Sequence, residues 1–196
     1  MLLSPDVLIA TVTSIFLFLA LCGVLVLIVV SMRRPTTLPL LIATGILILA
    51  LIVVAVSPTN VPTIVGIILA LLGVTIGVLG GNPVTRRVLE IATHGRVHET
   101  EDGGIIVGAA EPGSPEPGTT AVLRGGTTIG YLERLGTVVA LVAGFPEALA
   151  VIVAIKGVGR FSELAGAEAR ERFIIGTLAS LLWACAAGAL IRLAIW

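Results

Sequence analysis

The chain predicts an all-α fold, a polytopic helical membrane protein with six transmembrane helices, three before and three after a partly disordered cytoplasmic loop. Three observations carry that expectation. Mean hydropathy is +1.13 and 57% of residues are hydrophobic, whereas only 12% are charged. A soluble domain carries roughly twice that charged share. Six apolar runs, divided by Pro, Gly and charged breaks, come close to the ~20 residues that cross a ~30 Å hydrocarbon core. Lys and Arg collect in alternate connections, which is the pattern that orients a membrane chain. The net charge of zero leaves no field to attract nucleic acid, so the lipid bilayer is the first expected partner.

The first span covers about residues 7–30 and stops at Met32, Arg33, Arg34 and Pro35. No Lys or Arg precedes it and its apolar run outlasts the h-region of a secretory signal, so it reads as a retained helix. The second covers 38–56 and breaks at Ser57, Pro58, Thr59 and Asn60. The third covers 62–79 and is expected to end at Gly80, Gly81, Asn82 and Pro83. Within the loop, 84–93 suits a short helix under the membrane. Residues 96–107 alternate loosely around Asp102, Gly103 and Gly104, a β-hairpin pattern, and the Pro-, Gly- and Glu-rich 111–120 suits a flexible linker. The fourth span covers 127–144, with a break at Phe145, Pro146 and Glu147; the fifth covers 148–164 and the sixth 173–195. The expected division is 1–81, an N-terminal three-helix unit; 82–126, the loop; and 127–196, a C-terminal three-helix unit. The loop has too few large apolar groups to bury a core of its own.

Arg33 and Arg34 follow span one; Arg86, Arg87, Arg96 and Arg124 follow span three; Arg170 and Arg172 precede span six. The alternate connections contain Asp6 and Glu147 but no Lys or Arg. The positive-inside rule therefore places the loop in the cytoplasm and both termini outside, in the plasma membrane. Arg192 breaks the pattern and is expected to snorkel to the outer interface. Phe145 and Trp196 fall at the outer boundary, and Tyr131, Phe161 and Phe173 near the inner one. His94 and His98 have Gly95 between them and no Cys nearby, so no metal is expected, nor any other cofactor. Cys22 and Cys185 lie in apolar runs and read as small buried hydrophobes.

A charged cluster interrupts the C-terminal unit. Lys156, Arg160 and Glu163 follow each other at i, i+4 and i+7 and share one helix face. Lys156 falls ~13 Å from the outer boundary, and Glu133 and Arg134 fall ~8–10 Å inside the inner one, at the standard helical rise. Charges at such depth require partners. Glu133 is expected to pair with Lys156 or Arg160, and Arg134 to point toward Glu163 or the headgroups. Small residues mark packing faces: Gly66, Ala70, Gly73, Gly77 and Gly81 in span three, and Gly176, Ser180, Ala184 and Gly188 in span six. Such stripes let helix backbones approach closely.

Part of the C-terminal half resembles a known family. The residues are Gly130-Tyr131-Leu132-Glu133-Arg134, then Ala154-Ile155-Lys156 with Arg160-Phe161, then Glu171 with Ile175-Gly176-Thr177 and Ser180. Together they resemble the C-terminal membrane region of uncharacterised bacterial integral membrane proteins, a domain of unknown function. The similarity spans about residues 126–184. Gly157 stands where that family usually has Ser, and Arg172 where it has Tyr. The resemblance implies that Glu133, Arg134, Lys156, Arg160 and Glu171 belong to one recurrent unit, and it implies no activity.

No P-loop, HExxH, GxSxG or CxxC pattern occurs, so an enzyme is not expected. The expected function is a structural, accessory or regulatory membrane component, assembled as a homo-oligomer or in a larger membrane complex. The alternative is a small transporter or channel-like protein that uses Glu133, Lys156 and Arg160 as its polar site. A third reading has the inner-leaflet arginines bind headgroup phosphates in a lipid-handling role.

Overall fold

The structure, a computed structural model, describes residues 4–33, 37–93, 126–159 and 167–196. These form six helices: α1 Pro5–Arg33, α2 Thr37–Val56, α3 Thr63–Ala92, α4 Gly126–Val142, α5 Ala148–Gly159 and α6 Ala167–Ile195. Among the described residues there is no strand. Arg160, Glu163, His94, His98, and the hairpin and linker expected within 94–125 lie outside the described residues.

Four helices are long and apolar enough to cross a membrane: Pro5–Met32, Thr37–Val56, Thr63–Ala92 and Arg170–Ile195. The sequence predicts six. α4 has 17 residues and the described part of α5 has 12, or about 26 and 18 Å at the α-helical rise. α4 carries Glu133 and Arg134 within its length. α5 reaches Gly157 and Gly159 at its described end, and glycine is a weak helix former.

The crossing helices are apolar on nearly every side, so spacing and size choose the buried face. Leu17, Leu21, Val24 and Ile28 of α1 are buried at steps of three and four residues. Leu40, Ala43, Leu47, Ala50 and Val54 do the same on α2, as do Gly66, Leu69, Gly73, Ile76 and Gly80 on α3. This is the a/d spacing of helices packed along a shared seam. Large apolar side chains face the other way: Val12, Ile15, Leu19 and Val26 on α1, and Leu41, Ile48 and Ile52 on α2, are exposed. So extensive an apolar surface suits lipid rather than water as solvent.

α3 and α6 form the central pair; α1 packs on α2 and α3, α2 also on α6, and α4 on both α6 and α3. Among the described elements α5 packs on α4 alone. One core thus joins both sides of the loop, with Trp183, Ala187, Leu190 and Ala194 packed among Leu17, Leu47 and Leu69.

Glycines set the close approach. A Cβ at Gly77 would stand 2.6 Å from Val138 Cγ2, and one at Gly73, Gly80 or Gly81 would overlap Ile191, Trp183 or Arg134. Gly66 faces Ile195, and Ala70 packs beside Val138, Ala184 and Ile191. On α6, Gly188 lies against Leu141 and Gly176 against Thr85 and Leu89. Both small-residue stripes are therefore occupied within the chain.

The sequence predicts a break at Gly80, Gly81, Asn82 and Pro83, yet α3 runs through them to Ala92 and absorbs the short helix expected over 84–93. Proline weakens the preceding turn because it lacks an N–H and crowds the carbonyl four residues back. Here donors from neighbouring helices bond to carbonyls just ahead of that turn. Trp183 Nε1 donates to the Ile76 carbonyl at 2.9 Å and Arg134 Nε to the Val78 carbonyl at 2.7 Å. Support from adjacent helices is what lets membrane helices carry proline.

At its far end α4 closes in a Schellman motif. Phe145 N donates to Ala140 O at 2.8 Å and Gly144 N to Leu141 O at 3.0 Å, with Gly144 at φ +75°. That left-handed conformation costs other residues about 1–2 kcal/mol. Arg192 Nη1 donates to the Val142 carbonyl at 3.3 Å, and its guanidinium lies 5.3 Å from the centre of the Trp196 ring.

Gly80→Ala tests the close packing. It should lower stability by about 1–3 kcal/mol through overpacking. Because Trp183 is buried and Trp196 exposed, a red shift of tryptophan emission should accompany the loss.

Candidate functional site

Glu133 and Arg134 are consecutive on α4 and so point about 100° apart around the helix. One turns toward α5, the other toward α3 and α6. This single step separates the cluster into two polar sites.

Arg134 is 2% exposed. Its Nε donates to the Val78 carbonyl at 2.7 Å, its Nη2 to Asn82 Oδ1 at 2.7 Å and its Nη1 to Ser180 Oγ at 2.9 Å. The Tyr131 ring lies 5.1 Å from its Cζ. Asn82 Nδ2 donates to the Tyr131 hydroxyl at 3.0 Å, which fixes the amide with its oxygen toward the guanidinium. All three acceptors are neutral, and two belong to α3. A buried cation needs such dipoles in place of its hydration. The sequence directs Arg134 toward Glu163 or the headgroups; the structure turns it inward, because Gly81 has no side chain to obstruct it and Asn82 lies on the same helix as an acceptor.

Glu133 forms an ion pair with Lys156 of α5 through Oε2, with only 10% and 18% of the two side chains exposed. Lys156 Nζ also lies 5.9 Å from the centre of the Phe173 ring of α6. The other carboxylate oxygen, Oε1, is buried and has no hydrogen-bond partner among the described residues. This pair is the link through which α5, held by α4 alone, is fixed at its charged end.

A cavity of about 180 Å³ lies beside both sites, at the end of the bundle where α3 finishes and α4 and α6 begin. Arg86, Arg134, Lys156 and Arg172 border it from four different helices, with Asn82 and Thr177 among the polar groups between them.

Of the residues singled out by sequence, Glu133 and Lys156 are brought together, and Arg134 joins Ser180 of the α6 stripe. The remaining stripe residues, Gly66, Gly73, Gly77, Gly176, Ala184 and Gly188, form helix contacts rather than the cavity's charge. Asn82, Tyr131 and Trp183 are the participants sequence reasoning passes over. Asn82 looks like part of a turn because Pro83 follows it. A usable signal was present: Asn82 directly follows a glycine stripe, and Ser180 interrupts the facing one. No family model, curated protein or solved structure matches the chain.

Ser180→Ala removes one acceptor from a buried guanidinium and should cost about 1–3 kcal/mol in detergent-solubilised protein. Lys156→Met leaves the Glu133 carboxylate buried without its cation and should cost about 3 kcal/mol. Adding Glu133→Gln should recover most of that loss, because a neutral pair carries no stranded charge. Thermal unfolding of the three variants reads all these effects.

Proposed function

We propose that this chain is a non-enzymatic structural or accessory component of the bacterial plasma membrane. Its intramembrane charges serve to join helices. The observation that carries the reading is the Arg134 guanidinium, whose Nε, Nη1 and Nη2 are all engaged by α3 and α6. The Glu133–Lys156 pair points the same way, because the two charges neutralise each other at the α4–α5 contact. On this reading the residues shared with the uncharacterised bacterial family form a helix-joining unit. The distribution of Lys and Arg supports an orientation with both termini outside and the loop in the cytoplasm. In that orientation α4 and α5 form a hairpin that reaches the outer boundary at Phe145, completing six passes.

Transport through Glu133, Lys156 and Arg160 is the competing reading, and one purification separates them. The complex extracted in mild detergent from its native membrane should exceed the 20.1 kDa of the chain, as a homo-oligomer or with a stoichiometric partner. Reconstituted vesicles should be passive. A lone chain whose vesicles show a flux lost in Lys156→Met would overturn the proposal. For orientation, Thr59→Cys should react with an impermeant thiol reagent on intact cells, and Arg87→Cys only after permeabilisation.

A further inference from the structure

We infer that α4 and α5 enter the bilayer as one hairpin, paired before they are buried, and that the Glu133–Lys156 bond is the condition for their crossing. This hairpin completes the six passes proposed above, on which the inference rests. Of the two charged residues of α4, Arg134 is engaged by α3 and α6 and Glu133 by α5. Lys156 is the one charged residue of the described α5. Each helix alone would therefore carry an ion into lipid, at a depth where an unpaired charge opposes insertion. Together they form a neutral pair, and the charge left over is that of Arg134. α3 precedes them in the chain and already offers the Val78 carbonyl and Asn82 to that guanidinium; Ser180 follows with α6.

The geometry of the hairpin suits formation as a unit. No residue of α5 from Ala148 to Gly159 is buried, and among the described elements this helix packs on α4 alone. Apart from the approach of Lys156 Nζ to the Phe173 ring, its placement comes from α4 rather than from the central pair. The seam is antiparallel and in register. Ile152 lies against Gly136, where a Cβ would stand 3.2 Å from its Cδ1, and one turn further along Lys156 meets Glu133. Val151, Val153, Ile155 and Val158 are exposed, so with the pair closed the outer surface of α5 is apolar. The turn between the helices is bonded on both sides: Phe145 N donates to Ala140 O at 2.8 Å, Leu149 N to Pro146 O at 3.0 Å and Ala150 N to Glu147 O at 3.1 Å. Glu133 and Lys156 are 23 residues apart in sequence, so the loop that their bond closes is short. A chain made from its N-terminus can close it before α6 exists.

The test uses the full chain with Cys22→Ala and Cys185→Ala, carrying either Thr59→Cys or Phe145→Cys. An impermeant thiol reagent is applied to intact cells and again after permeabilisation. A crossing hairpin puts position 145 on the same side as position 59, whichever way the chain faces. With Glu133 and Lys156 in place, both positions should be labelled on intact cells. Glu133→Lys and Lys156→Glu, each alone, should lower labelling at position 145 on that side by about fivefold or more, with position 59 unchanged. Combining the two should restore it, because the pair re-forms with its charges exchanged. Glu133→Gln with Lys156→Met should also cross, since a neutral pair carries no charge into lipid. Both positions labelled only after permeabilisation would overturn the proposed orientation alone. Position 145 on the opposite side from position 59, with the native pair present, would overturn the inference. So would unchanged labelling in both single variants, or a loss that the exchanged pair does not restore. If cells degrade the single variants, cell-free synthesis into membrane vesicles gives the same comparison of positions 59 and 145.

Discussion

The Arg134 guanidinium keeps its charge in any protein environment, yet it lies 2% exposed among helices whose outer surfaces are apolar. That single constraint organises the C-terminal half. So little of it is open to solvent that neutral dipoles must stand in for hydration, and they come from positions that only one arrangement brings together. Val78 and Asn82 are four residues apart on α3 and so share a face. Ser180 lies across from them on α6. Satisfying all three sets the rotation of α4, and with it the direction of Glu133 toward α5. The same bond to Val78 steadies the turn of α3 ahead of Pro83.

Close packing makes the arrangement reachable. Arg134 and Trp183 both reach α3 backbone carbonyls because Gly81 and Gly80 offer no side chain in their way. Elsewhere on α3, Gly73 receives Ile191 and Gly77 receives Val138. Between helices in lipid there is little hydrophobic drive, so contact area and buried hydrogen bonds decide which faces meet. The small-residue stripes are therefore as specific here as polar patterning is in a soluble bundle.

The helices themselves were legible because an uninterrupted apolar run of about 20 residues suits a membrane crossing and little else. Their buried faces were not, because Leu19 and Leu21 look alike in sequence although one is exposed and the other enclosed. Size gave part of the answer, and the α3 and α6 stripes lie where small residues predict contact. Two signals misled. Pro83 behind two glycines has the composition of a helix stop, yet α3 continues through it, with donors from α4 and α6 bonded to the Val78 and Ile76 carbonyls just ahead. Arg134 beside Glu133 suggested a common ionic cluster, whereas adjacent helical residues face different neighbours. α4, at 17 residues, ends at Val142 rather than at the expected Gly144, while the end of the expected fifth span, 160–164, lies outside the described residues.

The two polar sites divide the work of the cluster. Glu133 and Lys156 tie the short α5 to α4, where Ile152 also lies against Gly136, and Arg134 joins α4 to the central pair. Beside them lies a cavity of about 180 Å³, bordered by Arg86 of α3 and Arg172 of α6 among others. Everything in this arrangement turns on Arg134 being an immobilised, fully engaged cross-helix contact. Nitrogen NMR of arginine-labelled protein in detergent, assigned by loss of signal in Arg134→Lys, reads that state at the guanidinium itself. A slowly exchanging Nε proton and two resolved Nη resonances are expected, because three bonds in different directions prevent rotation about Cζ–Nε. Rapid exchange with a single averaged Nη signal would place the guanidinium in water and contradict its role as the contact that sets α4.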